Sequence, residues 1–370
     1  MQWPTAKLKY VVRFAYGDPL PADRELSEGV PVYGSNGVYA FHSVANTKGP
    51  AIIVGRKGSY GKVNWSDVPC FASDTTFFID DTTTQNNLRW VYWLLQTLKL
   101  DEGSGEAAVP GLNRETAYEN TVGIPPVFRQ RDIADYLNQE TAKLDRLVTA
   151  KERLLEIVAE KRRALISRAV TRGLNPKAPL RESGLSWVGQ IPSHWAIMKL
   201  KHVAFLKSGD AITSDSITES GEYPVYGGNG IRGYTSSFTH NGDYVLIGRQ
   251  GALCGNINIA SGRFWASEHA VVAHIQGEND FNWLGELLRV MNLNQYSQSA
   301  AQPGLSVGFV ANLQLPIPPL REQRHIAAHI GRETAKLDSV RAAAERTIGL
   351  LKERRVALIA EAVTGKIVVK

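Results

Sequence analysis

Two kinds of hydrophobic pattern alternate along this chain. Short apolar runs rich in β-branched and aromatic residues, such as AIIVG from Ala51, TTFFI from Thr75, YVLIG from Tyr244 and AVVAHI from Ala270, are punctuated by glycine and polar residues. They predict short strands joined by turns. A Trp- and Leu-rich stretch follows each set and predicts a helix, over Leu88–Leu100 and again over Trp283–Leu293. After the prolines of IPP at Ile124 and Ile317 the pattern changes, and about 40 residues follow each time without proline and with almost no glycine. Leu137, Leu144, Val148, Leu155, Val158 and Leu165 recur there at spacings near three, four and seven, as do Ile330, Leu337, Ile348, Leu351 and Leu358. Two long amphipathic helices with a heptad-like seam are predicted. Lys151, Arg162, Arg341 and Arg355 interrupt the seam and argue against a long free-standing homodimeric coil.

The alternation is a tandem duplication. PVYGSNG at Pro31 returns as PVYGGNG at Pro224, an offset of 193, and the same offset pairs IPPVFRQRDIA with IPPLREQRHIA, ETAKLD with ETAKLD, and ALISRAVT with ALIAEAVT. One inserted residue shifts the register to 194 from Gly61/Gly255 through Ser73/Ser267, and it returns to 193 by Trp90/Trp283. Chance does not hold a register in this way. The expected architecture is α+β: two globular mixed α/β domains, residues 1–124 and 177–316, each followed by a helical segment, 125–176 and 317–370. The simplest burial of two seams in one chain is against each other, as an antiparallel coiled coil with a pseudo-twofold axis. Helices of about 40 residues would make a rod of roughly 60 Å.

Composition narrows the class only a little. With 42 basic and 36 acidic residues the chain carries a formal +6, a mild excess that favours polyanions without demanding one. Two cysteines, Cys70 and Cys254, give neither a disulfide framework nor a metal cluster, and a reducing cytoplasm is the natural setting. No apolar run suits a membrane span, and MQWPTAKLKY lacks the apolar centre of a signal peptide.

A pseudo-dyad with mild basic charge matches the local dyads of duplex DNA, whose half-sites recur about every 34 Å. Diverged copies can read two different half-sites. Residues shared by both copies are then candidates for architecture or phosphate contact, and differing loop residues are candidates for base readout. Gly34/Gly227, Gly37/Gly230, Gly55/Gly248 and Gly58/Gly251 are shared and fit turn positions, while Asn36/Asn229 and Arg56/Arg249 are shared polar residues of the same loops. Each arginine suits a phosphate, a guanine edge or a salt bridge within its domain. Lys57 against Gln250, Ser59 against Ala252, Tyr60 against Leu253 and Lys62 against Asn256 are the differing positions, and Arg232 flanks the second shared loop. The candidate DNA-binding set is therefore Asn36, Arg56, Lys57, Ser59, Tyr60, Lys62, Asn229, Arg232, Arg249, Gln250 and Asn256.

Two variable globular parts alternating with near-identical helical parts, IPPLREQRHIA…ETAKLD…LLKERRVALIAEAVTGKI, together with ESGLSWVGQIPSHWAIMKLKHVA, resemble the DNA specificity subunit of type I restriction-modification enzymes. The resemblance spans nearly the whole chain. It implies that the globular parts are target recognition domains, each reading one half of a split double-stranded DNA site. It implies that the helical parts space the domains and dock two methyltransferase subunits, with restriction subunits added for cleavage. S-adenosylmethionine and ATP would belong to those partners, with no cofactor, metal or catalytic residue in this chain. One departure is that SGLSWVGQIPSHW has only the stub MQWPTAKLKY as its counterpart in the first copy, which leaves the edge of the first domain in doubt.

The residues for independent chemistry are missing from the expected places. IPPV and IPPL carry prolines without the polar and aromatic neighbours of an adenine methyltransferase loop, and GSYGKV is too short between glycines for a phosphate loop. His325 and His329 share a helical face, but copy one has Asp132 and Tyr136 there, which favours surface histidines over a metal. Two alternatives stay open: a DNA-modifying enzyme with unrecognised catalytic residues, and a coiled-coil scaffold without a DNA role.

Overall fold

A computed structural model describes residues 3–20, 27–102, 111–251, 253–297 and 304–369. The chain forms two compact units: unit 1 is Met1–Arg153 with Ala344–Lys370, and unit 2 is Leu154–Ala343.

In unit 1 the strands β1 (Thr5–Lys7), β2 (Ala15–Tyr16), β3 (Val30–Gly34), β4 (Gly37–His42), β5 (Ala51–Gly55), β6 (Val63–Ser66), β7 (Phe71–Ala72) and β8 (Thr76–Ile79) precede α1 (Leu88–Leu95). Then come α2 (Arg114–Tyr118), β9 (Thr121–Gly123) and the long α3 (Val127–Arg172). One sheet has the order β2-β8-β5-β6, a second has β4-β3-β7, and β1 pairs with β9. Unit 2 repeats the plan after a small hairpin of β10 (Leu180–Glu182) and β11 (Gln190–Pro192). Its strands are β12 (Ala196–Lys199), β13 (Ala204–Ser208), β14 (Tyr223–Gly227), β15 (Gly230–Thr235), β16 (His240–Asn241), β17 (Tyr244–Gly248), β18 (Ile257–Ala260), β19 (Arg263–Ala266) and β20 (Ala270–Ile275). Then α4 (Phe281–Met291), α5 (Val307–Ala311), β21 (Gln314–Ile317) and α6 (Leu320–Val363) follow. The sheets are β13-β20-β17-β18 and β15-β14-β19-β16, with β12 on β21.

The last residues of the stub MQWPTAKLKY are equivalent to the end of its longer counterpart. Lys7 pairs with Thr121 and Lys199 with Gln314, so AKLKY and MKLKH enter the two domains through the same strand and the same one-turn helix. Both central helices are capped by side chains: Asn87 Oδ1 accepts from Trp90 N and Asp280 Oδ1 from Trp283 N, each at 2.9 Å. The Asp280 cap starts α4 two residues before the expected Trp283. At the other end α1 stops at Leu95 rather than Leu100, because Thr97 turns its hydroxyl onto the Leu94 carbonyl at 2.7 Å and Lys99 takes a left-handed conformation.

Each unit has one main core, and both long helices enter it. In unit 1, Leu8, Phe14, Ile52, Phe77 and Trp90 pack with Ile133 and Leu137 of α3 and with Ile359 and Val363 of α6. In unit 2, Leu200, Val245, Val271 and Trp283 pack with Ile166 and Val170 of α3 and with Ile326 and Ile330 of α6. The start of one helix thus lies with the end of the other in each unit, an antiparallel pairing. The polar interruptions of the seam reach across it. Arg355 Nε donates to Asp145 at 3.0 Å in unit 1, and Arg162 pairs with Asp338 in unit 2. The repeated ETAKLD also has a reason: Thr141 and Thr334 are buried and return their hydroxyls to the Leu137 and Ile330 carbonyls at 2.6 and 2.8 Å.

The repeated glutamine of QRDIA and QRHIA locks helix to domain. Gln130 is 1% exposed; its amide nitrogen donates to Asn86 Oδ1 at 2.8 Å and the Pro125 carbonyl at 2.9 Å, and its oxygen accepts from Asn87 N at 2.8 Å. Gln323 makes the same three bonds to Asn279, Pro318 and Asp280 N, at 3.0, 2.9 and 2.8 Å. The end of the proline break, the first turn of the long helix and the cap of the central helix are thereby one buried polar joint.

Candidate nucleic-acid interface

Three turns meet in each unit. In unit 1 they are the β3–β4 turn at Ser35–Asn36, the β5–β6 loop from Arg56 to Lys62, and the β7–β8 turn at Ser73–Thr75. The Thr75 carbonyl binds all three together, accepting from Arg56 N at 2.8 Å, Lys57 N at 3.1 Å and Ser35 Oγ at 2.7 Å. In unit 2 the His269 carbonyl accepts from Arg249 N at 2.9 Å. Serine gives way to Gly228 there, where a Cβ would meet the same carbonyl at 3.2 Å.

Two glycines per loop are required by this geometry. Gly61 and Gly255 have φ of +76° and +83°, and a Cβ on either would come within 2.5 Å of the backbone that follows α1 or α4. Gly58 and Gly251, at +70° and +90°, have nothing within 4 Å. The loop is therefore pinned at its end and open at its crest, a form suited to an external ligand.

The candidate residues fall on this platform, with different degrees of freedom. Lys62 Nζ donates to Asn36 Oδ1 at 2.7 Å and to its carbonyl at 3.1 Å, and the equivalent Asn256 Nδ2 donates to Asn229 Oδ1 at 2.8 Å. Lys57, Ser59, Lys62 and Gln250 are exposed, and Tyr60 and Asn256 are half-buried. Arg232 is exposed and its stem crosses Gly227, whose added Cβ would lie 2.5 Å from Arg232 Cδ; Tyr39 covers Gly34 in the same way. Ala252, the expected counterpart of Ser59, lies outside the described residues.

Arg56 and Arg249 are more committed than the loop sequence suggests. Arg56 is half-buried, donates to the Asp74 carbonyl at 2.8 Å and lies over the rings of Tyr16 and Phe77 at 5.3 and 5.9 Å. Arg249 reaches Ser208 Oγ at 3.4 Å, and Ser208 sits where Tyr16 sits in unit 1. The Arg56 guanidinium thus braces the third turn, whereas that of Arg249 is tied to strand β13.

Other members of the platform lie outside the candidate set. Leu253, opposite Tyr60, is 53% exposed on the crest. Asn64 and Asn258 are equivalent, lie beside Gly37 and Gly230, and each keeps a buried amide nitrogen without a hydrogen-bond partner. Asp74–Thr75 and Glu268–His269 are the third turn. Their signal was available in the 194 register, where an acidic residue is retained and its neighbour changes. Beneath the hairpin, burial pushes the Tyr33 and Tyr226 phenols up. Among the described residues no cluster of His, Cys, Asp or Glu could hold a metal, and no helix is long and apolar enough to cross a membrane.

A single three-turn backbone built twice and fitted with two sets of polar side chains defines a duplicated recognition module. The family follows from comparison with known proteins. The model described as the type I restriction modification DNA specificity domain matches residues 2–156 and 192–338, and the chain belongs to that family. The EcoprrI type I restriction enzyme specificity subunit of Escherichia coli is 44% identical over 133 residues, 35% of this chain and 33% of that one. The EcoBI specificity subunit, also of Escherichia coli, is 22% identical over 358 residues, 85% of this chain and 73% of that one. The chain's match spans about a third of the first of these relatives (33%). Among solved structures, one from a study of assembly and conformational transition of the type I restriction-modification system has a TM-score of 0.74 at 15% identity, covering 99% of this chain and 98% of that chain. The HsdS subunit from Thermoanaerobacter tengcongensis gives 0.57 at 14%, covering 99% and 97%. At these identities the likeness is one of fold.

Proposed function

We propose that this chain is the sequence-reading subunit of a type I restriction-modification assembly, with residues 1–124 and 177–316 each reading one half of a split duplex target. The helical segments 125–176 and 317–370 set the gap and dock two methyltransferase subunits, through which restriction subunits join. S-adenosylmethionine and ATP act in those partners, in the cytoplasm, and this chain contributes recognition alone. The observation that carries the reading is the three-turn platform made twice on one backbone with different side chains, which is what two unlike half-sites require. Asn36, Lys57, Ser59, Tyr60 and Lys62 form the first reading surface, and Asn229, Arg232, Gln250 and Asn256 the second. Arg56 and Arg249 add fixed positive charge behind them.

Phosphate contacts supply salt-dependent affinity, and base contacts add about 1–3 kcal/mol for each good bidentate pair. Two half-sites on a stiff connector bind bivalently, so a gap wrong by one base pair misplaces the second domain by about 3.4 Å along the duplex. The test maps methylated adenines across the genome of a host carrying this chain and its modification subunit. A split motif with one fixed gap is expected. A contiguous motif, or methylation or cleavage by the purified chain alone, refutes the reading.

A further inference from the structure

The third turn carries more than its sequence announces. Its backbone is held alike in both units: Ser73 N donates to the Tyr33 carbonyl at 3.0 Å and Ser267 N to the Tyr226 carbonyl at 2.9 Å, with Thr76 N and Ala270 N closing the turn at 2.9 Å each. Side chains at 74/268 and 75/269 therefore leave equivalent backbones beside position 57/250, and what they do next differs. In unit 1 the Thr75 hydroxyl folds back onto Ser73 Oγ at 2.8 Å, and Arg56 binds the Asp74 carbonyl. In unit 2 the ring of His269 joins two neighbours: Nδ1 lies 3.3 Å from Gln250 Oε1, and Nε2 lies 3.1 Å from Glu268 Oε1. The second Glu268 oxygen is buried and, among the described residues, has no hydrogen-bond partner.

We infer that Gln250 is the residue with which unit 2 selects an adenine, and that His269 and Glu268 are positioning residues that hold its amide; this rests on the DNA-reading function above. A side-chain amide is the group that meets both the N6 amine and N7 of adenine, and its discrimination depends on the plane in which it is held. A glutamine at the end of three rotatable bonds spends most of its time out of that plane. With both ring nitrogens protonated, His269 donates from Nδ1 to the Gln250 carbonyl, which keeps a second lone pair for the adenine amine and leaves the NH2 group free for N7. Glu268 in turn fixes the imidazole. Lys57, the counterpart in unit 1, is exposed, the Thr75 hydroxyl beside it bonds to Ser73 instead, and among the described residues no side chain holds its ammonium.

The test presents the full chain with duplexes randomised over both half-sites and sequences what it retains. The wild-type chain enriches adenine at one position of one half-site. Gln250→Lys, which places at this backbone the residue unit 1 already carries, removes that enrichment and leaves the other half-site untouched. His269→Ala lowers the ratio of adenine to other bases about tenfold at the same position only, and His269→Asn, which keeps a hydrogen-bonding side chain there, restores part of it. If His269→Ala instead weakens all sequences equally, its role is structural and the inference is overturned. If Gln250→Lys leaves the enrichment intact, it is overturned as well. A wild-type chain that enriches no split sequence overturns the DNA-reading function itself, a result distinct from either.

Discussion

The two reading loops differ most in charge, and that difference sets a measurable quantity. The loop of unit 1 carries Arg56, Lys57 and Lys62, whereas the loop of unit 2 carries Arg249 with Gln250 and Asn256. Lys57 and Lys62 are exposed, and Lys62 is held by two bonds to Asn36 with one N–H left over. If each neutralises one phosphate, the double variant Lys57→Gln, Lys62→Asn lowers the slope of log K against log salt by about 1.8, at about 0.9 per phosphate. Between 50 and 200 mM salt the gap in affinity between wild type and variant then narrows by about 12-fold. The substitutions copy what unit 2 carries on the same backbone, where Asn256 bonds to Asn229 at 2.8 Å, so the loop keeps its tie to the hairpin. Fluorescence anisotropy on a labelled duplex across a salt series reads the slope directly. A slope changed by less than about 0.5 rules out phosphate contact by these lysines and leaves them to base readout alone.

Three further outcomes follow from the packing. Gln130→Ala removes three bonds from a buried joint and lowers the stability of unit 1 by about 3 kcal/mol, seen in calorimetry as a lower melting transition; a shift under about 1 kcal/mol would mean water replaces the amide. Ending the chain after Ala343 withdraws Ile359, Val363 and Val369 from the core of unit 1, a loss on the order of 6 kcal/mol, so limited proteolysis should degrade residues of unit 1 while unit 2 survives. In unit 2, His240 and His274 stand 5.6 Å apart; burial foremost, with the charge of Lys207 and, for His240, the neighbouring His274, holds both below the ordinary imidazole value, opposed at His240 by Asp210. The unfolded chain takes up these protons first, so the stabilisation is complete above about pH 6.5 and declines as pH falls from there through the lower folded values. Melting from pH 8 to 5 should show this decline in the wild type and a shallower one in His274→Phe.

The duplication made most of the fold legible, because every strand of unit 1 has a counterpart in unit 2, where the β10–β11 hairpin and β16 are additions. Apolar runs such as AIIVG and YVLIG became the buried centres of equivalent sheets, β5 and β17. The long helices were legible from the absence of proline and from the apolar spacing, and their polar interruptions had to await a partner helix, since nothing local shows that Arg355 faces Asp145. Helix ends were less legible. Asp280 reads as a cap only once Trp283 N is seen to point at it, and the end of α1 depends on a threonine hydroxyl folding back one turn. The candidate surface was found in part: the two glycine-flanked loops stand out in the aligned copies, while the third turn shows there only as a retained acidic residue beside a changed one, since the carbonyl that ties the turns together is one any residue possesses.

That last point bears on how such a surface can change what it reads. The platform is held by backbone groups, namely the Thr75 and His269 carbonyls, the Ser73 and Ser267 amides, and glycines whose φ no side chain tolerates well. Replacing the side chains at 57/250, 60/253 and 75/269 keeps those backbone bonds in place and alters the ligand-facing chemistry at little cost in stability. Residues that do support the scaffold, Gln130/Gln323 and Thr141/Thr334, are identical in the two copies and lie in the helical joints, away from the turns. Separation of this kind predicts that grafting all three side chains of one platform onto the other shifts the melting temperature by less than replacing either glutamine alone. The opposite order would mean that recognition and stability share residues in this fold, and that the turns cannot diverge independently of the helices.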